Sequence, residues 1–326
     1  MQLCRRTDHV ETWSPPYVFA HSSLDLVNPT VRVCTTEEDK RRSLEIYNEV
    51  WPQRAATHED VRAWEQASIA TVDFLADVDG ATAGSAAAGI ATSRPKLCMT
   101  FITVLPHRRR RSVGAGLFEA VSAWADDHDV RELETAVESD DEESLGFALR
   151  RGFHEHAREA GLELALLGLD PPAVDPPPGI EIVTLADRPE LARGAYDVGS
   201  EALPDVPGSE DWTPPPFEQF LATHLRGLAV FLAVADGEVV GYAKLHARPD
   251  GRAATHGMTS VKRTWRGHGI AKSLKRAEIA WAQANGIERL AATNEERSAA
   301  MQHINASLGY RPAPGRVRLR GPATTP

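Results

Sequence analysis

Residues 261–271 read Val-Lys-Arg-Thr-Trp-Arg-Gly-His-Gly-Ile-Ala, and the interpretation of the whole chain starts from this stretch. The residues before it indicate a short strand at 258–261, and the helical spacing of Ile270, Leu274 and Trp281 predicts an amphipathic helix after it. A helix that begins at glycines presents backbone N–H groups without intrahelical partners at the positive end of its dipole. The stretch therefore predicts a binding turn for an anion such as phosphate.

Two familiar phosphate-binding motifs do not fit this turn. A P-loop requires Gly-Lys followed by Ser or Thr, and a dinucleotide-binding fingerprint requires a different glycine spacing. Basic side chains add positive charge around the turn: Lys262, Arg263, Arg266 and Lys272. The motif is a weak signal by itself, so its surroundings decide its meaning.

The sequence repeats itself without a gap at an offset of 157 residues, which relates residues 74–80 to residues 231–237. Further pairs at this offset are Gly84/Gly241, Val104/Val261, Arg109/Arg266, Leu117/Leu274, Leu133/Leu290 and Gly152/Gly309. A register that combines turn glycines with apolar residues indicates two domains with the same backbone.

A proline-rich run at 171–179 separates the copies and is typical of a semi-rigid linker. We therefore predict a first domain at 30–170, a second at 180–326 and a loose N-terminal arm at 1–29. In the second copy the pattern predicts strands at 180–183, 228–235, 239–246, 258–261 and 290–293, and helices from Ile270 and over 298–308. Each domain is thus expected to be α/β.

Composition narrows the class of protein. The formal net charge of -10 disfavours nucleic-acid binding, and the basic run Arg108–Arg111 is interpreted as a solvated helix entrance. Cys4, Cys34 and Cys98 have neither zinc-site nor disulfide-framework spacing. Without a membrane-length apolar run or a signal-peptide pattern, the sequence predicts a cytoplasmic protein with no membrane partner.

The turn resembles the acetyl-CoA loop of the GCN5-related N-acetyltransferase (GNAT) superfamily, with Arg266, Gly269 and Ala271 at the positions of the Arg/Gln-x-x-Gly-x-Gly/Ala signature. Other residues that carry the resemblance are Asn294, Met301, Asn305 and Leu308-Gly309-Tyr310 in the second copy, and Val104 to Arg109, Gly114 and Arg151-Gly152-Phe153 in the first. The tandem arrangement is similar to that of mycothiol synthase and related acetyltransferases. The resemblance implies a mixed sheet flanked by helices, built twice.

It also implies an N-acetyltransferase that uses acetyl-CoA as acyl donor, needs no metal, and acts on a small-molecule or peptide amine by direct attack in a ternary complex. The pyrophosphate would lie on the backbone amides of Arg266, Gly267, His268, Gly269, Ile270 and Ala271. The pantetheine arm would pair with the strand that holds Thr259, Ser260 and Val261, and Asn294 and Asn305 would hold its amides. Neither copy has the Tyr that many members use to protonate the leaving thiolate, since Asn305 and Ala148 occupy its position.

An alkyl amine is mostly protonated at neutral pH, so direct attack requires a proton acceptor. His256, Glu201 and Asp205 are the candidates, although a surface histidine and solvated helix ends explain the same residues without a function.

The differences between the copies predict that the second domain is the catalytic one. Ser112, Val137 and Ala148 in the first copy replace Gly269, Asn294 and Asn305. An alternative alignment restores the signature two residues later, at 111–116, which would shift the first turn along the chain. A non-catalytic acyl-CoA-binding or scaffold protein is the other function that fits the missing Tyr.

Overall fold

The computed structural model describes residues 29–205, 213–248, 250–296 and 298–324. The arm predicted for 1–29 lies outside these residues except for Pro29, as does Cys4. The strands are β1 Thr30–Val33, β2 Ser68–Val78, β3 Ala81–Ala91, β4 Leu97–Val104, β5 Glu132–Glu138, β6 His154–Ala165, β7 Ile180–Thr184, β8 Ala229–Ala235, β9 Glu238–Ala247, β10 Ala253–Val261, β11 Arg289–Glu295 and β12 Arg311–Pro322. The helices are α1 Glu37–Val50, α2 His58–Gln66, α3 Val113–Asp127, α4 Glu142–Leu149, α5 Ala192–Ala202, α6 Phe217–Thr223, α7 Ile270–Ala284 and α8 Ala299–Ser307.

All twelve strands form one sheet in the order β1-β2-β3-β4-β5-β12-β6-β11-β10-β9-β8-β7. Helices cover both faces of this mixed sheet, which confirms the predicted α/β class. Among the described residues, none of the helices has both the length and the apolar character needed to cross a membrane.

The last strand of each copy pairs with the other copy. Strand β12, from the end of the chain, lies between β5 and β6, and β6 pairs with β11 of the second copy. Val317 and Leu319 of β12 accordingly pack in the core against α3, whereas Leu164 of β6 packs in the core against α7. The 171–179 segment is therefore not the only connection between the two halves.

The parallel strands at the centre of each half are paired over only three residues. Leu97–Met99 pair with Glu132–Glu134, and Ala253–Thr255 pair with Arg289–Ala291. Beyond these residues each pair of strands separates, which opens a cleft in the sheet. The β9–β10 ladder also has a register shift between His256 and Thr259, which is typical of a β-bulge.

The predicted 157-residue repeat holds at the turn itself. Gly267 and Gly269 have φ angles of +81° and +84°, and the corresponding Arg110 and Ser112 have φ angles of +62° and +59°. Helix α3 begins at Val113 and α7 at Ile270, so the helices keep the same offset. The alternative alignment two residues later is therefore wrong, and the first domain forms the turn without glycine.

Candidate active site

A cavity of about 370 Å³ lies in the cleft between β4 and β5 of the first domain. The turn before α3 contributes Arg109 and Ser112 to its walls, α3 contributes Gly114, and α4 contributes Phe147. The Arg109 Nε donates to the Val104 carbonyl at 3.4 Å, which ties the turn to the end of β4. This cavity is the first-domain counterpart of the place that the sequence resemblance gives to the acyl donor in the second domain.

A second cavity, of about 400 Å³, lies on the other face of the first domain between the sheet and helices α1 and α2. Ser85 of β3, Phe101 and Thr103 of β4 and Asp73 of β2 belong to its walls. Thr103 also lines the first cavity. The two cavities therefore share one lining residue, Thr103, which lies on β4 beyond the part of that strand that pairs with β5.

Asp73 is the half-buried carboxylate of this second cavity. Burial is the main reason that its pKa is raised to about 6; the nearby Glu65 carboxylate acts in the same direction, while Lys40 and a hydrogen bond with Ser43 oppose the shift. Lys40 donates to the Glu65 carboxylate at 2.9 Å, so its charge is largely shared with that neighbour. Asp73 can therefore exchange a proton near neutral pH.

The second domain holds its turn with carboxylates that the sequence had suggested as bases. Asp205 accepts hydrogen bonds from Arg263 and Arg266, and these bonds lower its pKa to about 2. Glu201 accepts from the Arg263 backbone N–H at 2.6 Å. Arg266 in turn donates from Nε to the Val261 carbonyl at 3.1 Å, as Arg109 does in the first domain. In this structure Asp205 and Glu201 thus stabilise the turn through hydrogen bonds.

His256 lies against α7, on the face of the sheet opposite to α5 and α6. Its Nδ1 is 2.8 Å from a Glu278 carboxylate oxygen, and its Nε2 forms a hydrogen bond with the Tyr310 hydroxyl. Its side chain is only 2% exposed, and burial lowers its pKa. The structure gives both ring nitrogens partners inside the core.

The other residues predicted to bind the donor surround the cleft between β10 and β11. Arg266, Gly267, His268 and Gly269 are exposed at the turn, Ile270 is buried and Ala271 is half-buried, while Ser260 and Val261 are buried in β10. Thr259, Asn294 and Asn305 carry buried side-chain polar atoms that have no hydrogen-bond partner within the described part of the chain. Because buried polar groups are normally paired, these atoms fit a ligand with amide groups such as pantetheine.

In the second domain, larger side chains fill the region that corresponds to the second cavity of the first domain. Tyr242 and Lys244 occupy the positions of Ser85 and Ala87, since each pair is separated by 157 residues. Both side chains are buried, and Phe220 packs beside Tyr242 with 6.3 Å between the ring centroids. Burial lowers the pKa of Lys244 to about 8, and its Nζ donates to the Thr223 carbonyl at 3.3 Å.

The sequence interpretation missed Asp73 and Lys244. A usable signal was present, because each is a charged residue inside an otherwise apolar strand, where an unpaired charge is costly. A charged residue at such a position therefore indicates either a hydrogen-bonding or ionic partner or a functional role.

The comparisons with known proteins agree with the repeated architecture. The model of the acetyltransferase (GNAT) family matches residues 41–153 and again residues 196–310. A GCN5-related N-acetyltransferase from Sphaerobacter thermophilus has a similar structure, with 20% identity, a TM-score of 0.71, and coverage of 91% of this chain and 96% of that chain. A tandem GNAT protein from the clavulanic acid biosynthesis pathway is similar at 22% identity and a TM-score of 0.73, with 92% and 100% covered.

A GCN5-related N-acetyltransferase from Kribbella flavida is also similar, at 15% identity and a TM-score of 0.54, with 86% of this chain and 95% of that chain covered. No curated protein matches the chain. These structural likenesses concern the fold, whereas the two family matches extend over more than half of the sequence. The chain belongs to the acetyltransferase (GNAT) family and contains two tandem domains of it.

Proposed function

We propose that this chain transfers acetyl from acetyl-CoA to an amine by direct attack in a ternary complex, and that the reaction takes place in the first domain. The observation that carries the proposal is Thr103, which lines both the cleft cavity and the cavity under α1 and α2. Donor and acceptor would enter from opposite faces and meet beside β4. Direct attack requires such a meeting point.

Asp73 is the proton acceptor in this proposal. Its pKa of about 6 leaves the carboxylate ionised at neutral pH, so that it attracts an ammonium group and can take its proton. The amine then attacks the thioester carbonyl. The leaving thiol has an ordinary pKa of ~8.5, so the thiolate can depart without a general acid.

The second domain is the other candidate for catalysis. Its unpaired Thr259, Asn294 and Asn305 atoms favour a site for acyl-CoA there. Its acceptor face, however, already holds Tyr242 and Lys244. We therefore assign acyl-CoA binding and amine acylation to the first domain, and acyl-CoA binding without turnover of a free amine to the second. The catalytic second domain predicted from the sequence stays the competing proposal.

A thiol-release assay tests the activity. Purified protein would be mixed with acetyl-CoA and a panel of alkylamines, amino acids, aminoglycosides and cysteinyl glycosides. We expect amine-dependent thiol release and a matching N-acetylated product by mass spectrometry. Binding of acetyl-CoA without release on any amine of the panel would favour the non-catalytic binding or scaffold function instead.

A further inference from the structure

Lys244 lies where an acceptor amine would have to lie in the second domain. Its first-domain counterpart, Ala87, lines the open acceptor cavity. Lys244 itself is only 6% exposed and points to the same face of the sheet, toward the end of α6, where Thr223 accepts its hydrogen bond. The second domain thus carries its own primary amine at the acceptor position.

The bulge in β10 brings the Lys244 side chain into contact with the strand that borders the cleft. A Cβ atom added to Gly257 would lie 2.7 Å from the Lys244 Cγ and 2.8 Å from its Cε, so the lysine runs directly along the bulged backbone. The bulge lies where β10 has left β11, next to Thr259 with its unpaired hydroxyl. The Lys244 side chain therefore contacts β10 two residues before Thr259, where the stretch that would hold the acyl donor begins, and its Nζ donates to the Thr223 carbonyl.

The surroundings of Lys244 favour its neutral, nucleophilic form. Titratable side chains that interact with it on this face are His246 of β9 and His224 at the end of α6, and burial lowers the pKa of both rings to about 4. Asp60 of α2 acts on His246 in the opposite direction. Among the described residues, none of the ion pairs with Asp or Glu involves Lys244. A buried amine without a carboxylate partner loses its proton readily, which is a known route to nucleophilic lysines.

We propose that Lys244 is a self-acylation site, which accepts the acyl group from an acyl-CoA bound in the second domain. The neutral Nζ attacks the thioester carbonyl, the carbon–sulfur bond breaks, and the thiolate leaves with the proton that Nζ releases. The products are an Nε-acyl-lysine and free CoA thiol. The inference rests on the assignment of acyl-CoA to the second domain and is independent of amine turnover in the first.

The test is incubation of the full chain with labelled acetyl-CoA and no amine, followed by peptide mass spectrometry. We expect one acetyl group on Lys244, with a labelling rate that rises as pH passes through about 8. Lys275 is an internal control, because it is also buried but lies in α7 on the opposite face. It should remain unlabelled.

Two variants separate this reaction from chemical acetylation. Lys244→Arg should lose the label and keep amine-dependent thiol release. Ala271→Trp, at the start of α7 in the second domain, should lose the label although Lys244 is present. The inference would be overturned if Lys244 of the wild type carried no label. It would also be overturned if Lys244 were labelled as fast in Ala271→Trp and in urea-unfolded protein as in the folded wild type. If wild-type protein acetylates amines but carries no label on Lys244, self-acylation alone is refuted. If wild-type protein acetylates no amine of the panel, the proposed first-domain reaction is refuted.

Discussion

Asp73 shows how one residue can differ in function between two copies of a fold. It lies in β2 under the helices of the acceptor side, and the corresponding residue of the second copy is Val230, which packs in an apolar core. A carboxylate that burial keeps near a pKa of about 6 costs stability once it is ionised, because its charged form is better solvated in the unfolded chain. Its retention is therefore best explained by chemistry.

We predict that Asp73→Asn lowers kcat/KM for the amine by roughly 10²-fold to 10⁴-fold, the usual contribution of a general base. The wild-type rate should rise with pH through about 6 as Asp73 loses its proton, and the variant should lack this step. The variant should also be at least as stable as wild type at neutral pH, because it removes a buried charge.

Steady-state rates measured from pH 5 to pH 9 with acetyl-CoA at saturation check this prediction. Asp77→Asn is the matched control, since Asp77 lies on the same strand and pairs with Arg32 outside the cavity. If the rate of Asp73→Asn still rose with pH near 6, the titration would belong to another group.

At the scale of elements, the exchanged strands β6 and β12 approach each other unusually closely. The register between them shifts from Ala313 to Arg316, and two glycines make room there. A Cβ atom added to Gly161 would lie 1.9 Å from the Pro314 carbonyl oxygen, and one added to Gly315 would lie 2.1 Å from the Glu159 carbonyl oxygen. Only glycine fits these positions without movement of the backbone.

Gly161→Ala should therefore reduce the free energy of unfolding by about 1–3 kcal/mol, the usual cost of overpacking. Urea unfolding followed by circular dichroism measures this change. Gly146→Ala is the control, because Gly146 lies inside α4 and its added methyl would meet only the flexible Arg150 side chain. A neutral effect at Gly161 would mean that the strands separate more easily than the sheet register indicates.

Sequence periodicity predicted most elements of the second copy, because each depends on local patterns. The helix from Ile270 and the strands at 228–235 and 239–246 agree with α7, β8 and β9 within a residue or so. Strand β10 is longer than predicted, since it starts at Ala253. The cavity around Asp73 depends on how α1 and α2 pack on the sheet. Sequence periodicity does not contain this information, so the cavity could not be predicted.

The exchanged strands were not predicted at all. Strand β12 contains prolines and alternates arginine with apolar residues over 316–320, and β6 is rich in charged residues. That alternation is a strand signal, but nothing local shows that its partner is β5, about 180 residues earlier. Strand exchange between copies is a long-range choice that depends on packing.

At the scale of the whole molecule, Glu134 connects the two copies. This buried carboxylate of β5 accepts hydrogen bonds from Arg94 at 2.7 Å, and from Arg318 and Arg320 of β12 at 2.7 Å and 2.8 Å. Burial opposes its charge, but the three guanidinium groups prevail and lower its pKa to about 2. The first domain thus binds the last strand of the chain through charge as well as through the sheet.

Glu134→Gln should reduce the free energy of unfolding by about 3–5 kcal/mol, because three guanidinium groups would remain around one uncharged amide. The wild-type contribution of Glu134 is complete above its unfolded pKa of about 4.5 and is lost as pH falls toward 2. Calorimetry should show that both halves lose stability together. Glu155→Gln, which breaks an exposed pair with Arg158, should cost less than ~1 kcal/mol.

The central claim is that the first domain carries out acyl transfer, and a matched pair of variants at one position of the repeat tests it most directly. Gly114→Trp would fill the cleft cavity of the first domain, and Ala271→Trp places the same side chain at the equivalent position 157 residues later. The measurement is the turnover number for amine acetylation, with folding of both variants checked by circular dichroism. We predict that Gly114→Trp abolishes turnover and that Ala271→Trp retains most of it, whereas the reverse pattern would contradict the account and assign catalysis to the second domain.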